Sequence, residues 1–228
     1  MEKDSLRLNK YLALQLGISR READELIAKG QVTINNTAAQ LGARFQPSDK
    51  IAMKGKVIEE KAKHTYLLFN KPVGYVCSRR AQGENPTIYN LLPKEYHHLK
   101  PVGRLDKDSS GLLLLSNDGD FAFRMTHPKF RKTKVYEVQL DRPLEPLHQQ
   151  MISDYGIQLE DGTSKFTVQR LENKKATYEV TMSEGRNRQI RRTFAALGYE
   201  VTKLHRTQFG NYSLGDIKPR EYKITKIH

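Results

Sequence analysis

The sequence predicts an α+β protein in two parts: a small helical α/β domain over residues 1–62, then a larger α+β domain over 65–228 on a mixed, mainly antiparallel sheet. Three observations lead there. Apolar residues recur at helical spacing twice before residue 30. Beyond residue 65, strand-length runs such as Thr65 to Phe69, Leu112 to Leu115, Lys134 to Leu140 and Thr177 to Met182 outnumber helical ones. Between the two parts lies Glu59 to His64, charged and without apolar period, which reads as a linker. A chain of 228 residues has room for two cores.

From Leu6 to Leu16 the apolar residues Leu8, Tyr11, Leu12 and Leu16 share one helical face, and Gly17 suits the stop. Ser19 with Glu22 forms a capping-box pattern that starts a helix running to Gly30. Gln31 to Ile34 reads as a strand closing at Asn35-Asn36, and Lys50 to Ile58 as a hairpin turning at Lys54-Gly55. In the second part, Asn85 to Leu92 reads as a short helix entered through Pro86. Val102 to Leu105 reads as the end of a strand, Lys107 to Gly111 as a polar turn, and Leu112 to Leu115 as a buried strand stopping at Asn117-Asp118-Gly119. Helices are expected over Asp120 to Met125, Pro143 to Met151, and from the Ser183-Glu184-Gly185 turn to Gly198. Gly156 to Leu171 reads as strand and turn.

A net charge of +13 is larger than solubility requires, and a polyanionic partner, nucleic acid first, explains it directly. Residues 1–62 hold eleven basic and eight acidic side chains, the remainder 28 and 18, so the larger part carries most of the field. No apolar run approaches the roughly 18 residues needed to span a membrane. The start, MEKDSLRLNK, lacks the apolar core of a secretory signal. The single cysteine, Cys77, forms no internal disulfide, which fits a reducing cytoplasm. The seven histidines show no metal-ligand spacing. Neither phosphate-binding glycine pattern occurs, so no cofactor and no metal is expected.

The stretch GRLDKDSSGLLLLSNDG, Gly103 to Gly119, sets Asp106 between basic residues and an apolar run, a place suited to a nucleophilic carboxylate. An isolated Asp before a Ser/Gly cluster more commonly just shapes a turn. Asp106, Asp108, Ser110 and Gly111 also open like a calcium loop, but its last ligand position falls on Asn117 and no helix enters it, so calcium binding is rejected. Between Arg124 and Lys134 stand five basic residues and no acid, a segment suited to RNA backbone through counterion release.

GRLDKDSSGLLLLSNDG resembles the catalytic motif of the RNA pseudouridine synthases of the RsuA/RluB type. Further stretches match in order: NKPVGYVCS with its Lys-Pro-x-Gly turn, the Lys-x-Tyr of KVYEVQL, SEGRNRQIRRTFAALGYE, and the closing LHRTQFGNYSLGDIKPREYK. SRREADELIAKGQVTIN resembles the small S-four-like RNA-binding domain. The resemblance implies an isomerase that turns uridine into pseudouridine on a flipped-out base, by direct attack at the sugar or through a glycal; the sequence leaves both routes open. It implies Asp106 as nucleophile, Tyr136 stacking on the uracil and taking part in the final proton removal, and Arg191 pairing with Asp106. It also implies RNA contacts: Arg104 in the space the base vacates, Lys71 at phosphate or at a mere strand end, and Arg20, Arg21, Lys10 and Lys29 on the N-terminal helices. Arg131, Lys132, Lys134, Arg186 and Arg188 are expected to meet RNA as well. The partner expected is ribosomal RNA or a ribosomal precursor particle, with NRQIRR leaning to the large subunit, and the chain is expected to act as a monomer without a membrane. A non-catalytic RNA-binding or ribosome-assembly protein on the same scaffold, and a DNA-binding module, are the rival readings. Thr193 departs from the Met usual in the family, a change expected to alter packing and not chemistry.

Overall fold

A computed structural model describes residues 5–59, 63–79, 83–172 and 174–227. The start of the charged N-terminus (1–4) and the centre of the expected linker (60–62) fall outside them. The chain divides into two compact units, Met1–His64 and Thr65–His228.

In the first unit, strand β1 (Leu6–Arg7) leads into helix α1 (Leu8–Leu16), which Gly17 ends in the left-handed conformation at φ 67°. Glycine takes that conformation without a Cβ clash. Helix α2 (Arg20–Ala28) carries the expected capping box: Ser19 Oγ accepts from Glu22 N at 3.1 Å, and Glu22 Oε2 accepts from Ser19 N at 2.6 Å. Five short strands follow, β2 (Val32–Ile34), β3 (Thr37–Ala38), β4 (Arg44–Phe45), β5 (Ile51–Met53) and β6 (Lys56–Val57), in a β3-β2-β5-β6 sheet with β1 paired to β4. Both hairpin turns, Asn35-Asn36 and Lys54-Gly55, hold positive φ at their two central residues, the turn that matches strand twist. Leu8, Leu12, Ala23, Ile27, Val32, Phe45 and Ile51 close the core.

The second unit contains strands β7 (Tyr66–Lys71), β8 (Lys100–Val102) and β9 (Ser110–Ser116), then helix α3 (Gly119–Thr126) and strand β10 (Lys134–Leu140). Helix α4 (Pro146–Gln150) precedes β11 (Ile157–Leu159), β12 (Gly162–Ser164), β13 (Thr167–Arg170) and β14 (Thr177–Met182). Helix α5 (Gln189–Ala196), β15 (Val201–Phe209), β16 (Tyr212–Ser213) and β17 (Tyr222–Thr225) complete it. The main sheet runs β13-β14-β10-β15-β9-β7-β17, with β8 on β9 and β16 on β15. Among the described residues its one parallel strand pairing is β15 with β9, so the sheet is mixed and mainly antiparallel, as expected. Strand β9 is buried on both faces: Leu113 and Leu115 enter one core with Leu67 and Phe69, Leu112 and Leu114 the other with Tyr66 and Leu68. That double burial is why the strand reads as an unbroken leucine run.

Three expected elements differ in extent. The helix over Asn85 to Leu92 reduces to one 3-10 turn, Ile88–Asn90, because Pro93 pushes Leu92 away from helical backbone. Asn117-Asp118-Gly119 does more than stop β9: Asp118 caps α3, its Oδ1 accepting from Asp120 N at 2.9 Å and Phe121 N at 3.1 Å. Helix α4 starts only at Pro146 and continues as a wider π turn through Tyr155.

Candidate active site

Asp106 sits in the turn between β8 and β9, and three separate devices fix that turn. Ser109 N donates to Asp106 O at 3.1 Å, and Gly74 N, from the Lys-Pro-Val-Gly turn, donates to Lys107 O at 2.7 Å. Lys71, at the end of β7, is fully buried and donates from Nζ to Pro72 O (3.0 Å), Asp106 O (2.9 Å) and Ser109 O (2.7 Å). This corrects the expectation that Lys71 meets RNA: its ammonium is used up inside the protein, clamping the turn. Burial pushes the Lys71 pKa down, and Cys77, Asp106 and Asp108 oppose the shift. On the other flank Cys77 Sγ lies 3.3 Å from Leu105 O.

The Asp106 side chain keeps 37% of its surface open and lines a cavity of about 800 Å³. Tyr136, buried on β10, lines the same cavity. Eight basic residues line it, Arg104, Arg131, Lys132, Lys134, Lys165, Arg186, Arg188 and Arg206, against two acids, Asp106 and Glu184. Such a wall attracts a polyanion and repels a cationic ligand. A hollow of about 690 Å³ lined by Arg170, Leu171, Glu172, Lys174 and Lys175 holds no comparable set.

The guanidinium facing Asp106 is not the one expected. Arg188 Nη1 lies 3.7 Å from Asp106 Oδ2, and the same side chain takes Asp108 in a two-pronged grip at 3.1 and 3.1 Å. Arg191 is spent elsewhere: Nη1 donates to Val201 O at 2.6 Å, Nη2 to Asp108 O at 2.9 Å, and Nε stands 3.3 Å from Asp108 Oδ2. The cause is local. Arg188 precedes α5 in the left-handed conformation at φ 46° and so projects into the cavity, whereas Arg191, on the helix, reaches back to the start of β15. Arg191 therefore anchors the turn bearing Asp106 and does not touch its carboxylate. Burial works against charge on Asp108, yet Arg188 and Arg191 hold its carboxyl below the usual carboxylate range.

The remaining expected residues divide. Arg104 and Arg131 are exposed at the cavity, and neither side chain makes a hydrogen bond or ion pair among the described residues. Lys132 is half-buried there. Lys134 donates to Glu184 O at 3.1 Å, and burial, then Arg206, push its pKa down. Arg186 departs from expectation: its guanidinium bonds Asp161 O, Asp161 Oδ1, Gly162 O, Thr163 O and Glu184, so it pins the β11–β12 hairpin and has little left for RNA. Arg20, Arg21 and Lys29 are exposed in the N-terminal unit and Lys10 is half-buried; Arg20 leans on Asn9 Oδ1 at 3.3 Å. Thr193 is fully buried, its hydroxyl 2.7 Å from Ser164 Oγ and 2.9 Å from Gln189 O.

Two features are not readable in the sequence. Arg206 is 2% exposed on β15 yet lines the cavity; the sign available is its inward register, two residues after the buried Leu204. Beyond α3, the exposed rings of Phe123 and Phe130 flank Lys129, whose ammonium lies 5.2 and 4.8 Å from their centroids.

Comparison with known proteins bears on the chemistry of such a cavity. A family model described as RNA pseudouridylate synthase matches residues 65–196, and one described as the S4 domain matches residues 6–51. The chain is 36% identical over 214 residues to ribosomal large subunit pseudouridine synthase B of Bacillus subtilis, covering 91% of this chain and 87% of that one. It is equally 36% identical, over 222 residues, to ribosomal small subunit pseudouridine synthase A of Yersinia pestis, covering 96% and 94%. A solved structure of a pseudouridylate synthase, 31% identical, superposes with a TM-score of 0.68 over 97% of this chain and 96% of that one. With the family model spanning more than half of it and these relatives nearly all of it, the chain belongs to the RNA pseudouridylate synthase family, the enzymes that isomerise uridine in RNA.

Proposed function

We propose that the chain converts a uridine of ribosomal RNA, in the large subunit, to pseudouridine, with Asp106 as the nucleophile. The observation that carries this is one carboxylate, on a turn fixed by Lys71, facing a cavity that also holds Tyr136 and eight basic side chains. The reaction breaks the N1–C1′ bond, turns the uracil and joins C5 to C1′; the C5 proton leaves and N1 gains one. No electrons are exchanged, so a nucleophile, a proton acceptor and a held base suffice. Asp106 starts the cleavage, Tyr136 stacks on the extruded ring, and Arg188 steadies the carboxylate. Removing the base from its stack costs about a few kcal/mol, offset by phosphate contacts along the basic wall, which position RNA without reading sequence. Arg104 occupies the gap left by the base.

Relatives are named for both ribosomal subunits; the large-subunit choice rests on NRQIRR alone. The exposed cations Arg20, Arg21 and Lys29 make the N-terminal unit a second RNA contact, and the enzyme acts in the cytoplasm as a monomer on ribosomal RNA or its precursor particle. Mapping pseudouridines in ribosomal RNA from cells with and without the protein tests the substrate. Asp106→Asn tests the role: RNA affinity should hold within about twofold while product vanishes, since one exposed carboxylate adds little to binding a polyanion. Pseudouridine formed by that variant would remove Asp106 as nucleophile, and an unchanged map would leave the rival reading, an RNA-binding protein without catalysis.

A further inference from the structure

We propose that Arg206 and Lys134, whose charges both lie against the ring of Phe209, form a subsite for the phosphate of the target nucleotide. The proposal deepens the uridine-isomerase reading and rests on it for the identity of the nucleotide.

Arg206 is nine-tenths and more buried, with Nε donating to Leu112 O at 2.8 Å and Nη2 buried without any partner. Its Cζ lies 4.8 Å and Lys134 Nζ 5.3 Å from the centroid of Phe209. Neither cation has an ion pair among the described residues. Glu184, the carboxylate acting on Lys134, is already bound by Gln189 and Arg186. Burying an ion is costly, and an aromatic face returns only part of that cost. Two such charges sharing one ring also repel each other. An incoming anion relieves both costs, and a buried guanidinium edge with a free N–H matches a phosphate oxygen.

Position selects which anion. Arg206 stands directly opposite Tyr136 on β10 and beside Gly111 on β9, and both cations line the Asp106 cavity. Uracil is neutral and needs no second charge; the phosphodiester of a nucleotide whose base lies on Tyr136 is anionic and within the same basin.

The test titrates the full-length protein with uridine 3′,5′-bisphosphate and with uridine, following the Arg206 Nε–H resonance and the shifts of cavity amides. The wild type should prefer the bisphosphate by about tenfold or more, the size of a charge-assisted contact. Arg206→Met and Lys134→Met should each cut that preference to about twofold, and Arg206→Lys should restore part of it. Circular dichroism and melting establish which variants fold; if Arg206→Met does not, Lys134→Met carries the comparison. A full preference in folded variants, or none in the wild type, overturns the subsite. Pseudouridine formation on ribosomal RNA is measured in parallel. Phosphate preference without product sinks the isomerase reading and leaves the anion subsite, whereas product without preference does the reverse.

Discussion

At the scale of single residues, Lys71 shapes the site from within the protein, its ammonium bound to three backbone carbonyls. Its ammonium joins the end of β7 to Asp106 O and Ser109 O. Lys71→Met would take this donor from Pro72 O and Ser109 O and leave Asp106 O with Ser109 N alone. We expect a loss of about 2–4 kcal/mol in urea unfolding, from buried acceptors left without donors, and a larger fall in product formation than in RNA affinity. The turn bearing Asp106 and the strand bearing Tyr136 are legible in the sequence, one from a Ser/Gly cluster and the other from regular alternation, whereas a role for either side chain is implied only by the family resemblance. Lys71 is not, because a lysine at a strand end normally lies in water. Arg206 escapes notice because, in the mostly polar run of β15, an arginine at an inward register position reads as one more surface cation. The partner of Asp106 differs from the expected one because a single residue of left-handed backbone, at Arg188, decides which arginine faces the turn.

At the scale of elements, the β11–β12 hairpin shows how distant segments are fastened around the cavity. Asp161, in its turn, accepts from Arg192 at 3.0 and 2.7 Å and from Arg186 at 3.0 Å, and Arg192 holds its carboxyl below the usual range. A carboxylate with a depressed folded-state pKa adds stability that is present above its unfolded value and lost as pH falls through the folded one. Asp161 and Asp108 therefore predict an acid limb in thermal melting below about pH 4. Asp161→Asn should melt slightly lower at neutral pH and show a shallower limb; an identical limb would remove Asp161 from the linkage. The sequence marks Gly156 to Leu171 only as strand and turn. The reason is that what fixes it, Arg186, Arg192 and the Ser164–Thr193 contact, comes from 23 to 31 residues further along the chain. By contrast α2 is legible to its first residue, since its capping box spans only Ser19 to Glu22.

At the scale of the whole molecule, the charge is divided unequally, and that division predicts how binding responds to salt. The N-terminal residues 1–62 hold a surplus of three positive charges out of thirteen, so the larger unit should dominate the salt slope. Arg20→Ala with Arg21→Ala should weaken RNA binding and reduce that slope by about one to two, at roughly 0.7–0.9 for each phosphate no longer neutralised; an unchanged slope would take the N-terminal unit out of the RNA contact. The two-part organisation is legible because the helical period stops before a charged, patternless run. Strand order is not, since pairings such as β10 with β15 join segments that only the finished chain brings together. One of those pairings governs timing. At Gly111 a side chain would collide with the backbone of Arg206, so β15 lies flush against β9, and Ser110 meets His205 across 95 positions. Contacts so far apart form slowly. A growing polypeptide thus carries the turn of Asp106 long before it owns the strand that β9 lies against.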